Sequence, residues 1–179
     1  HDEAIASFEQ ALRLDPGFAD AHGNLLFCMN YVVSYDAQQI FARHIEWAER
    51  HAARHTAAAS HSNDRDPLRT LRIGYVSADF REHPVGFFLE GVQQYHSVAN
   101  CEIYCYFNST QEDAITARLR AHVPSWRQIS ALDDDAVAAL VRADGIDILV
   151  DLSGHTSGNR LLVFARKPAP VQATYLAYP

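Results

Sequence analysis

At 179 residues the chain can bury one good core, or one domain with an appendage. Its apolar share of 48% and charged share of 21% are those of an ordinary globular protein, and no apolar run approaches the length of a membrane span. A net charge of -7 without any Lys/Arg cluster argues against a nucleic-acid footprint, and the acidic, helix-forming start is no signal peptide.

Residues 1–16 place Ala4, Phe8, Ala11 and Leu12 on one face at three- and four-residue steps, which predicts a helix stopped by Pro16. The order small, aromatic, small, then proline resembles the second helix of a tetratricopeptide repeat, where small residues permit close packing. A second helix follows Asp20 and carries Ala21, Leu25, Leu26 and Met29. It takes the place of the next repeat's first helix, without that repeat's usual aromatic and glycine positions. A repeat helix cannot bury its face alone. The chain thus begins mid-repeat, and His1 is expected to be a cut or disordered edge.

A third helix is expected over 36–59, with Ile40, Phe41, His44, Trp47 and Ala48 on one face. His44 there reads as a hydrogen-bonded core histidine. His51 and His55 have a spacing that can ligate zinc, but Ala52 stands where the metalloprotease pattern needs Glu, so a polar helix face is expected. Residues 60–67 are polar, turn-rich and end in Pro67: a linker and a domain boundary. The division that follows is 1–35 as the end of a repeat array, 36–66 as a helical connector and linker, and 67–179 as an α/β lobe.

From residue 69 onward, strands and helices alternate. Strands are predicted over 71–77, 102–107, 126–128, 146–151 and 171–176, and helical segments over 86–96, 113–122, 133–143 and 160–165. Near-continuous apolar strands separated by helices predict a parallel sheet covered on both faces, a Rossmann-like unit. Cys28, Cys101 and Cys105 are an odd number. The last two share a strand face but stand too far apart for a disulfide, so all three read as small core residues in a reducing compartment.

In open parallel sheets the carboxyl ends of the strands face one crevice. The first strand delivers Asp79 and His83 there, and the 146–151 strand delivers Asp151, Ser153, Gly154 and His155. The last delivers Tyr178 and Pro179. Asp79 and His83 can handle a proton beside a bound anion; they can equally be a helix cap and a solvated loop residue. His155 can likewise be a loop residue bonded to nearby backbone, and Asp151 a cap. No GxGxxG follows the first strand and no GxxxxGK[ST] exists, which disfavours NAD and excludes a P-loop.

Together these features resemble the transferases that put a single GlcNAc on Ser/Thr of intracellular proteins. The match is carried by LRIGYVSADFREHP (71–84), DGIDILVDLSGHT (144–156), KPAPVQ (167–172) and YLAYP (175–179), with tetratricopeptide-like helices before them. The connector segment ARHIEWAERHA (42–52) is also similar, and its shortness resembles bacterial members. The resemblance implies an α/β fold in which tetratricopeptide-like helices precede the N-terminal lobe of a two-lobed GT-B glycosyltransferase. The second lobe, which grips UDP through a lysine and a helix N-terminus, lies outside this chain.

Carried over by position, His83 matches the active-site histidine of a His-Pro motif, and Pro84 lines the donor sugar pocket. Asp79 matches an aspartate proposed to take the acceptor's proton, and His44 a histidine once proposed for that role. Leu176 and Ala177 match residues near the sugar, where the family often has glycine at the second position. Tyr178 and His155 complete the expected substrate-binding set. Val85 and Glu82 depart from the threonine and asparagine of animal members.

The implied reaction is inverting transfer from UDP-GlcNAc to a protein hydroxyl, with tetratricopeptide helices presenting the acceptor. A nearby His or Asp, or a chain to solvent, takes the proton as the bond forms. No Asp-x-Asp metal motif stands in a suitable loop, and Asp133-Asp134-Asp135 reads as helix capping, so the expectation is no cofactor and metal independence. A cytoplasmic protein without nucleic-acid or membrane partners is expected. Two alternatives stay open: a glucosyl- or fucosyl-transferase of the same fold, or a tetratricopeptide interaction module carrying an idle lobe.

Overall fold

Apolar runs that break off at polar junctions become the strands of one sheet. The computed structural model describes residues 1–55, 60–96 and 101–176. Strands β1 (Leu71–Ser77), β2 (Cys101–Phe107), β3 (Ser125–Gln128), β4 (Ile148–Asp151) and β5 (Val171–Thr174) are all parallel, in the order β3-β2-β1-β4-β5. Pairing of the expected 146–151 strand begins only at Ile148, and the last strand ends at Thr174 instead of residue 176.

The connecting helices are α4 (Pro84–His96), α5 (Ala114–His122), α6 (Asp134–Ala143) and α7 (Leu161–Ala165). Alternation along β1 and β2 divides the core in two. Ile73, Tyr75, Cys105 and Phe107 pack with Leu89 of α4 and Leu119 of α5. Val76, Tyr104 and Tyr106 pack with Val137 and Val141 of α6 and Val163 of α7. Both faces are thus covered, and the alternation in β2 separates two cores rather than core from solvent. Helix starts follow local capping chemistry: Asp113 accepts from the Ile115 and Thr116 amides, and Asp133 from the Ala136 amide. Helix α4 begins at Pro84, two residues before the expected Gly86, because proline needs no amide partner in a first turn.

Among the described residues three α-helices precede the sheet: α1 (Asp2–Leu14), α2 (Ala19–Met29) and α3 (Ala37–Trp47). Ile5, Leu25, Leu26, Met29 and Trp47 form their shared core, against which Leu161 and Leu162 of α7 pack from the lobe. A reciprocal capping box, Asp36 with Gln39, starts α3. The expected 36–59 helix is not one α-helix: it widens into a π-type turn at Ala48–Ala52, then tightens to a 3-10 turn at Ala53–His55, and 56–59 lie outside the described residues. His51 is accordingly not on a polar face. It is 2% exposed, with Nε2 3.0 Å from His22 Nδ1.

The polar linker is pinned rather than free. Asn63 donates to the Gly145 and Ile146 carbonyls and to Asp147, and Arg69 makes a two-pronged ion pair with the same carboxylate at 2.7 and 2.5 Å. All three cysteines are free thiols, and burial pushes the Cys105 thiol well above its usual range.

Candidate functional site

Sequential strands run outward from β1 to β2 and β3, and the chain then returns to place β4 on the other side of β1. At such a reversal the loops beyond the carboxyl ends diverge and leave a crevice. The loop after β1 carries Asp79 and His83 to it, and β4 ends there in Asp151, followed by a loop that carries Ser153 through His155.

The β1 loop is braced from several sides. The Asp79 amide donates to Ser77 Oγ at 2.9 Å, and the Glu82 amide to Asp113 at the start of α5. Gly86 allows the tight return into α4, since a Cβ there would lie 2.2 Å from the Arg81 carbonyl oxygen. Among the described residues Asp79 accepts from no helix-start amide. Its Oδ1 accepts from Arg81 at 3.2 and 3.0 Å, and its Oδ2 faces His83 Nδ1 at 3.9 Å. His83 Nδ1 accepts the Val85 amide at 3.3 Å. The neutral ring therefore carries its proton on Nε2, and His83 offers the crevice a donor in that state. The His83 side chain is 38% exposed and that of Asp79 12%.

Gly86 and Arg81 shape the site without a catalytic or binding signature in the sequence. The signal for Gly86 was a glycine in the first turn of a helix, where it is otherwise costly. Arg81 is an ordinary surface residue until the loop folds it back on Asp79.

Of the expected substrate-binding residues, Pro84 is exposed at the first turn of α4. Val85 does not point to the crevice: it is 7% exposed, packed in the core, and serves the site through its amide. Leu176 is 41% exposed with φ of 59°. Ala177 and Tyr178 lie outside the described residues.

His44 does not join Asp79 and His83; it meets His155, ring centroids 5.1 Å apart. His44 Nδ1 lies 2.9 Å from the Ile40 carbonyl, which can only accept, so this nitrogen holds the proton. The His44 Nε2 is buried, as is His155 Nδ1, and neither finds a hydrogen-bond partner among the described residues. These two rings, with Ile40, Phe41, Asp151 and Thr174, line a cavity of about 490 Å³ between α3 and the ends of β4 and β5. Burial, then the neighbouring His44 and His22, lowers the His155 pKa to about 4, and burial raises that of Asp151. Asp151 spends its carboxylate on the Ser153 and Gly154 amides.

Among the described residues no group of three His, Cys, Asp or Glu could hold a metal ion, and no helix is long and apolar enough to cross a membrane. Each of the three aspartates at α6 is engaged: Asp133 as cap, Asp134 with Arg160 and Asp135 with Arg166.

The comparisons agree with this architecture. A solved mutant of the Thermobaculum terrenum O-GlcNAc transferase superposes with a TM-score of 0.93 at 46% identity, over 97% of this chain and 34% of that one. The probable UDP-N-acetylglucosamine--peptide N-acetylglucosaminyltransferases SPINDLY of Petunia hybrida and Arabidopsis thaliana are each 37% identical, over 94% and 93% of this chain. The chain spans only 18% and 19% of those two relatives. Residues 19–179 match the family described as Glycosyl transferase family 41. With its α/β lobe and its β1 and β4 loops in this arrangement, the chain belongs to glycosyl transferase family 41.

Proposed function

We propose that this chain is the N-terminal catalytic lobe, with its preceding helices, of an inverting transferase that moves GlcNAc from UDP-GlcNAc to Ser/Thr hydroxyls of proteins. The observation that carries the reading is the Asp79–His83 pair at the carboxyl end of β1, in a fold that superposes on an O-GlcNAc transferase. A serine hydroxyl is too weak an acid to ionise before attack, so its proton must leave as the bond forms. Asp79 supplies a carboxylate oriented by Arg81, and His83 supplies an Nε2–H donor for a sugar or acceptor oxygen. Pro84 and Leu176 flank the donor sugar in this reading.

The helices α1 and α2 form the end of a tetratricopeptide array along which the protein acceptor lies, and α3 with residues up to 66 is the connector. The enzyme is cytoplasmic, in keeping with three free thiols. The reaction needs no metal: the aspartates that could suggest one are occupied in capping and ion pairs. The departing diphosphate is stabilised by positive charge from the second lobe.

A calorimetric titration of the intact protein with UDP-GlcNAc in EDTA tests this. Saturable one-site binding is expected. Heat only with UDP-glucose or GDP-fucose would reassign the donor. No heat with any of the three would leave an interaction module with an idle lobe.

A further inference from the structure

The loop after β4 does more than border the crevice. Asp151 accepts the Ser153 and Gly154 amides at 3.1 and 2.8 Å, which turns the chain sharply and sends His155 out of the lobe into the helical segment. There the ring is 8% exposed. It stands edge-on to Trp47 at 4.8 Å and to His44 at 5.1 Å. Its far side faces α2, where a Cβ on Gly23 would come within 3.2 Å of Nδ1. The Trp47 indole N–H donates to the Ala19 carbonyl at 3.2 Å and closes α2 onto α3 around this seat.

Gly23 is an independent witness to the fit. It lies in the middle of an eleven-residue helix of otherwise ordinary helix-compatible residues, where alanine would be favoured on propensity alone. Close approach of the imidazole accounts for the glycine, and the two residues lie more than a hundred positions apart on the two sides of the joint.

We infer that His155 is a positioning residue: seated between Gly23, Trp47 and His44, it holds the helical segment in register with the ends of β1 and β4. The wall formed by His44, Ile40 and Phe41 is thereby set against Asp151 and Thr174 at the ends of β4 and β5, across the cavity they line together. This rests on the transferase reading, in which the helices carry the acceptor and the β1 loop the chemistry. A misplacement of about 1 Å at such a joint is enough to cost acceptor use severely while leaving the lobe's own chemistry in place.

The test is a double-mutant cycle in the intact protein, with two readouts. One is hydrolysis of UDP-GlcNAc without acceptor; the other is transfer to a degenerate peptide library with Ser or Thr at a fixed central position. Gly23→Ala should leave hydrolysis within about twofold and raise the KM for peptide by about fivefold or more. His155→Ala should also raise that KM, and the combined variant should be no worse than His155→Ala, because the new methyl falls into vacated space. A silent Gly23→Ala, or effects that multiply in the combined variant, would overturn the assignment. If the unaltered protein neither hydrolyses nor transfers, the transferase reading fails, and the joint is then judged by hydrogen exchange alone. His155→Ala should speed exchange of the α2 amides about tenfold relative to those of β1. Unchanged α2 exchange would overturn it, and the same measurement decides if Gly23→Ala does not fold.

Discussion

At residue scale the site depends on two kinds of side chain: those that face the crevice and those that shape the loop behind it. His83 is of the first kind and contributes no core packing. His83→Ala is expected to cut transfer by about a hundredfold or more, a typical loss for a proton-handling or donor group, with little change in melting temperature. Steady-state kinetics with thermal denaturation check this, and full activity would remove His83 from the site. Gly86 is of the second kind. In Gly86→Ala the methyl collides with the Arg81 carbonyl, so the loop carrying Asp79 and His83 must shift. Transfer by Gly86→Ala should fall at least about tenfold even where the protein remains folded by circular dichroism. The β1 junction was legible in sequence as an apolar run ending in Asp79, with His83 four positions on. The Arg81–Asp79 ion pair and the Val85 amide on His83 were not, because neither contact has a sequence pattern; each needs the loop's backbone path.

Among elements, the strands and their order of appearance followed from apolar periodicity, while their termini followed from pairing. The linker shows what periodicity misses. Its polarity reads as a linker and domain boundary, yet Asp147 gathers Asn63 from it, with Arg69 and the Arg72 amide, across roughly eighty residues of chain. Burial pushes the Asp147 carboxyl up, but these donors outweigh it and hold the carboxyl below its usual range. Asp147→Ala removes the acceptor shared by Arg69, Asn63 and the Arg72 amide and should lower the urea denaturation midpoint. Asp147→Asn, which keeps one acceptor oxygen, should lower it less. The π-type turn after Trp47 was equally unreadable. It re-aims the chain so that His51 meets His22 instead of continuing the polar face that an ideal helix would give it.

At the scale of the whole molecule, the buried imidazoles of His22 and His51 inside the helical segment and of His155 at its joint with the lobe set the response to pH. Burial, then neighbouring charge, lowers the pKa of His22 and of His155 to about 4, and burial lowers that of His51. A folded value below the unfolded value of 6.5 means the fold favours the neutral ring. The stabilisation is complete above about pH 6.5 and is lost as pH falls toward 4, by about 2 kcal/mol per ring at pH 5. Asp151, raised by burial, works the other way and offsets part of the loss as it protonates. The nearby Glu46, tied to Arg43 and Arg50, pulls the His22 value up but is outweighed by burial and by the neighbouring positive charge. The melting temperature should therefore drop by the order of 10 °C between pH 7 and pH 5. A scanning calorimetry series checks this, and a flat profile would refute the neutral assignment. By itself the sequence determined the α/β class, the helical segment before it, the β1 and β4 junctions and the family resemblance, since these rest on local periodicity and contiguous motifs. Tertiary structure alone decided that His44 turns to His155 and that Gly23 is needed for space. Those facts depend on distances between residues remote in the chain, which no local pattern encodes.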